Sequence, residues 1–114
     1  MKMLPALAGA LCLLFAPSQT AAQNYQPANV QHSTARTAIC TTFGRYCSQA
    51  LRVSWCESRW SVWARNGQYL GLFQMGNYAR SRYGHSWNAW GQARAAYRYF
   101  RASGYSWGPW ACKP

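Results

Sequence analysis

The chain has 114 residues and a formal net charge of +11, with twelve Lys and Arg against one acidic residue, Glu57. That length suits one small domain and is too short for two. The charge argues for an anionic partner or environment and says nothing about fold. Any chemistry that needs a side-chain carboxylate is confined to Glu57.

Residues 1–22 have the pattern of a removable secretory signal. Lys2 supplies the positive start, Leu4 to Phe15 the apolar run, and Thr20-Ala21-Ala22 a small-residue cleavage site. Pro5, Pro17 and the change of composition after Ala22 argue against a core helix, and the run is too short for a stop-transfer span. Cleavage would leave 92 residues carrying +10, and would remove Cys12.

The remaining cysteines, Cys40, Cys47, Cys56 and Cys112, read as two disulfides in an exported chain of this size. Four cysteines allow three pairings. The favoured one joins Cys40 to Cys47 in a local loop and Cys56 to Cys112, which ties the Glu57 segment to the C-terminal tail. Zinc is the competing use of four cysteines, but CxxC spacing is absent and His32 and His85 are not placed as ligands, so no metal or cofactor is expected.

Residues 23–36 are polar without apolar period and read as a flexible linker, with His32 an idle surface residue. The domain proper is expected over 37–114. A helical pattern runs from Thr37 to Ser58, broken around Gly44-Arg45-Tyr46, with Ser48 as N-cap of the second piece. Glu57 falls in the last turn of that helix. Asn66-Gly67 signals a turn, and Gln68 to Met75 a hairpin strand in which Gly71 implies close approach by a ligand or another element. Asn77 to Tyr83 reads as a short helix ended by Gly84. Asn88 is the expected N-cap of a longer helix to Ser103, stopped by Gly104. Its core stripe is Ala89, Ala93, Ala96, Tyr97 and Phe100, with Arg94, Arg98 and Arg101 opposite.

All seven tryptophans lie between residues 55 and 110. So many rings exceed what a core of this size can hide, and exposed flat rings suit the apolar faces of sugars. Glycoside cleavage usually employs two carboxylates. With Glu57 alone, the second role must come from the substrate, and an N-acetyl group beside the anomeric carbon can supply it. A polymer such as peptidoglycan or chitin is therefore favoured over cellulose or starch. For Glu57 as an acid, burial against Trp and Phe works toward the protonated form and Arg52, Arg59 and Arg65 against it. The bland alternative is that Glu57 merely pairs with a basic residue.

Three stretches together carry a family pattern: Cys56-Glu57-Ser58, Asn66 to Gln74 with its Gly-Leu-Phe-Gln, and Trp107-Gly108-Pro109-Trp110-Ala111-Cys112. They resemble bacterial lysozyme-like domains of the soluble lytic transglycosylase type, and are similar to the related resuscitation-promoting factors. The resemblance implies a small lysozyme-like α+β fold, mainly helical with a short hairpin and stapled by disulfides. It implies Glu57 as the catalytic acid, with Ser58, Tyr69, Gln74 and Tyr97 as the substrate-binding set. Phe73 departs from the Met often found at its position, and the Cys40 and Cys47 pair is an addition. The expected partners are peptidoglycan strands and anionic wall polymers, met by a secreted or wall-associated monomer that neither inserts stably into membranes nor binds nucleic acid. The rival expectation is a non-catalytic cationic wall-binding or antimicrobial module.

Overall fold

The computed structural model describes residues 27–114. The expected secretory signal, Cys12 and the first linker residues lie outside the described residues. The chain forms α1 (Ala28–Phe43), a 3-10 turn (Gly44–Tyr46), α2 (Cys47–Ser58), β1 (Arg65–Asn66), β2 (Tyr69–Leu70), α3 (Asn77–Tyr83) and α4 (Ala89–Ala102). This is a small α+β domain, mainly helical, in which α1 packs against both α2 and α4.

The segment expected as a linker is helical from Ala28 onward. Pro27 opens it by accepting backbone bonds from Val30 and Gln31 at 3.0 and 3.1 Å. The polar residues occupy its wet side, while Ala35, Ala38, Ile39 and Phe43 are buried at helical spacing. His32 is not idle, since it meets Trp55 and Trp60 edge-on at 6.0 and 5.9 Å. Alanine and histidine give little hydrophobic signal, so the first turns of α1 escaped a periodicity reading.

The break at Gly44 to Tyr46 falls where expected, with Gly44 at φ 56° closing α1. Ser48 does not cap α2. Tyr46 is the N-cap and makes no side-chain bond there, whereas Ser48 Oγ accepts from the Arg52 guanidinium at 2.7 Å. The far end of α2 reverses through Arg59 and Trp60, both at positive φ. Two successive non-glycine residues in that region need outside support. Trp60 receives it, its Nε1 donating to Leu51 O and Ser54 Oγ at 3.1 Å each.

The hairpin is shorter than the sequence suggests. Arg65 pairs with Leu70 and Asn66 with Tyr69 across Gly67 and Gln68. After Leu70 the chain folds back on itself, and Met75 returns to Leu70 through backbone bonds of 3.0 and 3.2 Å. Gly71 (φ 78°) is the reason, because a Cβ there would collide with the Gln92 carboxamide. The close approach expected at Gly71 is thus made by another element, α4.

Gln92 is buried on the inner face of α4, a position invisible to an apolar stripe. Its Oε1 accepts from Leu72 N at 2.8 Å, and its Nε2 donates to Val62 O and Ser86 O at 3.1 and 2.9 Å. Asn88 caps α4 as expected, accepting from Gly91 N at 2.8 Å. Ala89, Ala93, Ala96 and Phe100 face the core, and Arg94, Arg98 and Arg101 face outward. An aromatic cluster fills the centre: Phe100 lies 4.4 Å from Trp107, and Phe43 is stacked on Phe73 at 5.4 Å. Cys40 is bonded to Cys47, and Cys56 to Cys112. No helix among the described residues is long and apolar enough to cross a membrane.

Two stability measurements probe this packing. Replacing Gln92 with Leu strands one buried and two part-buried backbone groups of three segments, and denaturant unfolding should report a loss of roughly 3 kcal/mol; a loss under about 1 kcal/mol would remove Gln92 from this role. His85 has a buried Nε2 without a hydrogen-bond partner, and burial, helped by Arg80, lowers its pKa below the usual imidazole value. The unfolded chain therefore binds the proton first, so stability is held above about pH 6.5 and declines as the pH falls below it. The midpoint of thermal unfolding of His85→Gln should fall less steeply between about pH 7 and 5 than that of the parent; equal slopes would contradict the assignment.

Candidate functional site

Glu57 opens into a cleft of about 440 Å³. One wall is the hairpin, through Asn66, Gln68 and Tyr69, continued by Gln74 to Gly76. The rest of the lining comes from Tyr78 and Ala79 of α3, Tyr99 of α4, and Pro109 to Ala111 of the tail. Amides, phenols and ring faces make up most of this lining, and no lysine or arginine lies among it. Glu57 is its one charged side chain.

The carboxylate is held by the tail. Glu57 Oε2 accepts from the Cys112 backbone N–H at 3.0 Å, and this is its sole protein hydrogen bond among the described residues. The disulfide from the neighbouring Cys56 to that same Cys112, with Cα atoms 6.0 Å apart, fixes donor and acceptor together. Two tryptophans seat the rest of the tail. Trp110 Nε1 donates to Phe73 O at 2.9 Å, and Trp107 Nε1 donates to Gln49 Oε1 at 2.8 Å. The Lys113 ammonium closes the end by donating to the carbonyls of Trp107, Gly108 and Trp110.

The arginines weighed as partners of Glu57 are engaged elsewhere. Arg52 donates to Ser48, Arg59 lies over the Trp55 ring at 4.9 Å, and Arg65 lies 5.9 Å from the Trp87 ring centroid. Glu57 forms no ion pair among the described residues.

The other sequence candidates divide. Tyr69 and Gln74 line the cleft with Glu57. Gln74 sits at φ 47° and is steadied by its own side chain, whose Nε2 donates to Gly71 O and Ala64 O at 3.0 and 3.3 Å. Ser58 is buried away from the cleft, donating to Ser54 O at 3.1 Å and Leu72 O at 2.8 Å; it ties the end of α2 to the loop after the hairpin. Tyr97 also stands outside, edge-on to Phe43 at 5.3 Å with the Arg101 guanidinium over its ring.

Tyr99, two residues further along the helix, is the α4 tyrosine at the cleft. Its pKa is raised, chiefly by burial and then by Tyr78 and Tyr83, which keeps its phenol protonated and able to donate. The two tyrosines flank the core stripe, and only the tail's course decides which of them meets the cleft. Asn66 and Gln68 belong to the stretch that carries the resemblance but are not among its expected substrate-binding residues, and Tyr78 is a short-helix residue with no pattern to mark it. Among the described residues no cluster of three or more His, Cys, Asp or Glu is assembled for a metal.

No protein-family model matches the chain, and no curated protein or solved structure matches it significantly.

The two disulfides should differ in weight. Cys56 and Cys112 are 56 residues apart and Cys40 and Cys47 only 7. Loop-closure entropy then predicts a loss of about 4 kcal/mol for the Cys56→Ser, Cys112→Ser double variant and about 2.5 for the local pair. Calorimetry gives the order, and hydrogen exchange of the backbone amide at position 112 should show loss of protection only in the first variant. A protected amide there without the bridge would mean that the tail is seated by Trp107 and Trp110 alone.

Proposed function

We propose that this protein cleaves an N-acetylated glycan of the peptidoglycan type, with Glu57 as its single acid and base. The observation that carries the reading is the placement of the chain's one carboxylate in an open cleft whose remaining lining is neutral, aromatic and rich in amides. The resemblance of the Cys-Glu-Ser, Gly-Leu-Phe-Gln and Trp-Gly-Pro-Trp-Ala-Cys stretches to lysozyme-like transglycosylase domains supports the same reading.

The chemistry balances with one carboxyl group. Protonated Glu57 gives its proton to the glycosidic oxygen as the bond to the anomeric carbon breaks. The carbonyl oxygen of the substrate's own N-acetyl group bonds to that carbon and holds the developing positive charge, as in substrate-assisted glycosidases. The Glu57 carboxylate then takes a proton from the acceptor. If the acceptor is the sugar's 6-hydroxyl, its oxygen displaces the N-acetyl oxygen and a 1,6-anhydro ring closes. If it is water, the product is a reducing sugar. Tyr69 and Tyr99 supply phenol donors and ring faces to hold the chain in place, and Gln74, whose amide N–H groups are given to Gly71 and Ala64, supplies its Oε1 as an acceptor.

On this reading the protein acts outside the cell as a monomer, and its positive surface recruits it to anionic wall polymers. The disulfides and the secretory pattern of residues 1–22 support that location.

The test is mass spectrometry of soluble products from purified peptidoglycan. The parent should release muropeptides, and Glu57→Gln should lower the rate by about 10²- to 10⁴-fold, the usual worth of general acid catalysis. Anhydro ends identify the intramolecular acceptor, and reducing ends identify water. Equal release by both proteins removes Glu57 from the mechanism. No release by either, with both retained on the wall, favours a cationic binding module instead.

A further inference from the structure

The chain carries a second aromatic feature that the cleft does not use. Trp63 is 61% exposed, against 38–39% for Trp55, Trp87 and Trp90. Single exposed tryptophans need no explanation. Trp63, however, lies flat against Trp87, with centroids 5.4 Å apart and planes 15° from parallel. Each ring limits the swing of the other, and with one face of Trp63 against Trp87 the opposite face is left for a ligand.

The backbone beneath the pair is built to hold it. The buried Gln92 carboxamide donates to Val62 O and Ser86 O, the carbonyls immediately before Trp63 and Trp87. One side chain of α4 thereby fixes both segments that carry the rings. Trp63 N also donates to Ser61 Oγ at 3.3 Å, and His85 braces Trp87 edge-on at 4.6 Å. A plate fixed before its ligand arrives loses little entropy on binding. The Arg65 guanidinium over Trp87 has no carboxylate to pair with, so the rim of the plate suits an anion.

The other tryptophan pair fits a flat ligand less well. Trp55 and Trp60 meet edge to face at 62°, and the guanidiniums of Arg59 and Arg36 lie over their rings. Within the hairpin, Arg65 and Asn66 are successive strand residues, whose side chains take opposite faces. Asn66 lines the cleft and Arg65 meets Trp87. The plate and the cleft therefore belong to different faces of the hairpin.

We infer that Trp63 and Trp87 form a second glycan-holding site, which stacks the apolar face of a pyranose ring in a carboxylate-bearing polysaccharide strand and places Arg65 beside the carboxylate. The site rests on the glycan reading of the protein but not on catalysis. Its role is to retain the molecule on an insoluble polymer while the cleft samples bonds.

Co-sedimentation with insoluble peptidoglycan tests it, in the Glu57→Gln background so that the polymer stays intact. At about 1 M salt, where diffuse attraction is screened, the Glu57→Gln protein should remain bound. Adding Trp63→Ala should weaken that retention about tenfold, while Trp63→Tyr, which keeps a flat ring, should restore most of it. In the parent background, Trp63→Ala should leave the unfolding midpoint unchanged and the cleavage of short soluble glycans within about twofold of the parent. Unchanged high-salt retention in Trp63→Ala overturns the site, and so does an equal fall in soluble-glycan cleavage, which would make Trp63 part of the cleft. Retention that depends on Trp63 in a protein that cleaves nothing would uphold the site while refuting the enzymatic reading.

Discussion

The bond from the Cys112 amide to the Glu57 carboxylate joins residues 55 apart in the chain, and the shape of the cleft depends on it. Residues 109–111 form one of its walls and belong to no helix or strand. A tail of that kind would ordinarily fray. Here it is fixed through unlike interactions: a covalent bridge at Cys112, indole N–H donors from Trp107 and Trp110, and an ammonium at Lys113 that gathers the tail's own carbonyls. The indoles are also core side chains, so apolar burial and polar satisfaction fix the same two residues. Holding one carboxylate in register against a distant wall therefore takes the whole C-terminal segment.

The scarcity of acid has a second consequence. A chain with one carboxylate cannot satisfy its arginines through ion pairs, and this one uses aromatic faces and carbonyls instead. Arg36, Arg45, Arg59, Arg65 and Arg101 each lie over a ring. Arg80 donates to Met75 O and Gln68 O, and Arg98 to Tyr83 O. Each exposed cation–π contact contributes only about 0.5–1 kcal/mol. Their collective effect is spatial: no arginine or lysine side chain lines the cleft, and Arg80 holds the backbone carbonyls of Gln68 and Met75, two residues that do. Glu57 is left with the Cys112 amide as its hydrogen-bond partner and no ion pair among the described residues.

Much of this was readable from residue types. The lone Glu57, the break at Gly44, the cap at Asn88 and the short helix at Asn77 all rest on local chemistry that a sequence states directly, whereas the disulfide pairing is a favoured choice among three. What escaped was decided by tertiary contact. Gln92 looks like a polar interruption of a core stripe until the three backbone groups that it bonds are found around it. The start of α1 looks like a linker because its partners, Trp55 and Trp60, lie elsewhere in the chain. The resemblance places Ser58 in the substrate-binding set, but successive helical residues diverge by about 100°, and the one that follows the acid points into the core. Tyr97 and Tyr99 could be told apart only by knowing where the tail lies.

The tryptophans show the same division between what folds the domain and what is left for a ligand. Trp107 and Trp110 are buried and use their N–H groups internally, and Trp60 is half-buried with its N–H bonded to α2. Trp63 and Trp87 have no comparable anchor of their own and depend on Gln92, through the carbonyls that precede them. Gln92 also holds Leu72, and its packing against Gly71 sets the loop that brings Gln74 into the cleft. One buried amide on α4 thus orders both faces of the hairpin at once. The cleft and the exposed plate are separate surfaces with a common support, and a change at that support alters both together where a change at Trp63 alters only one.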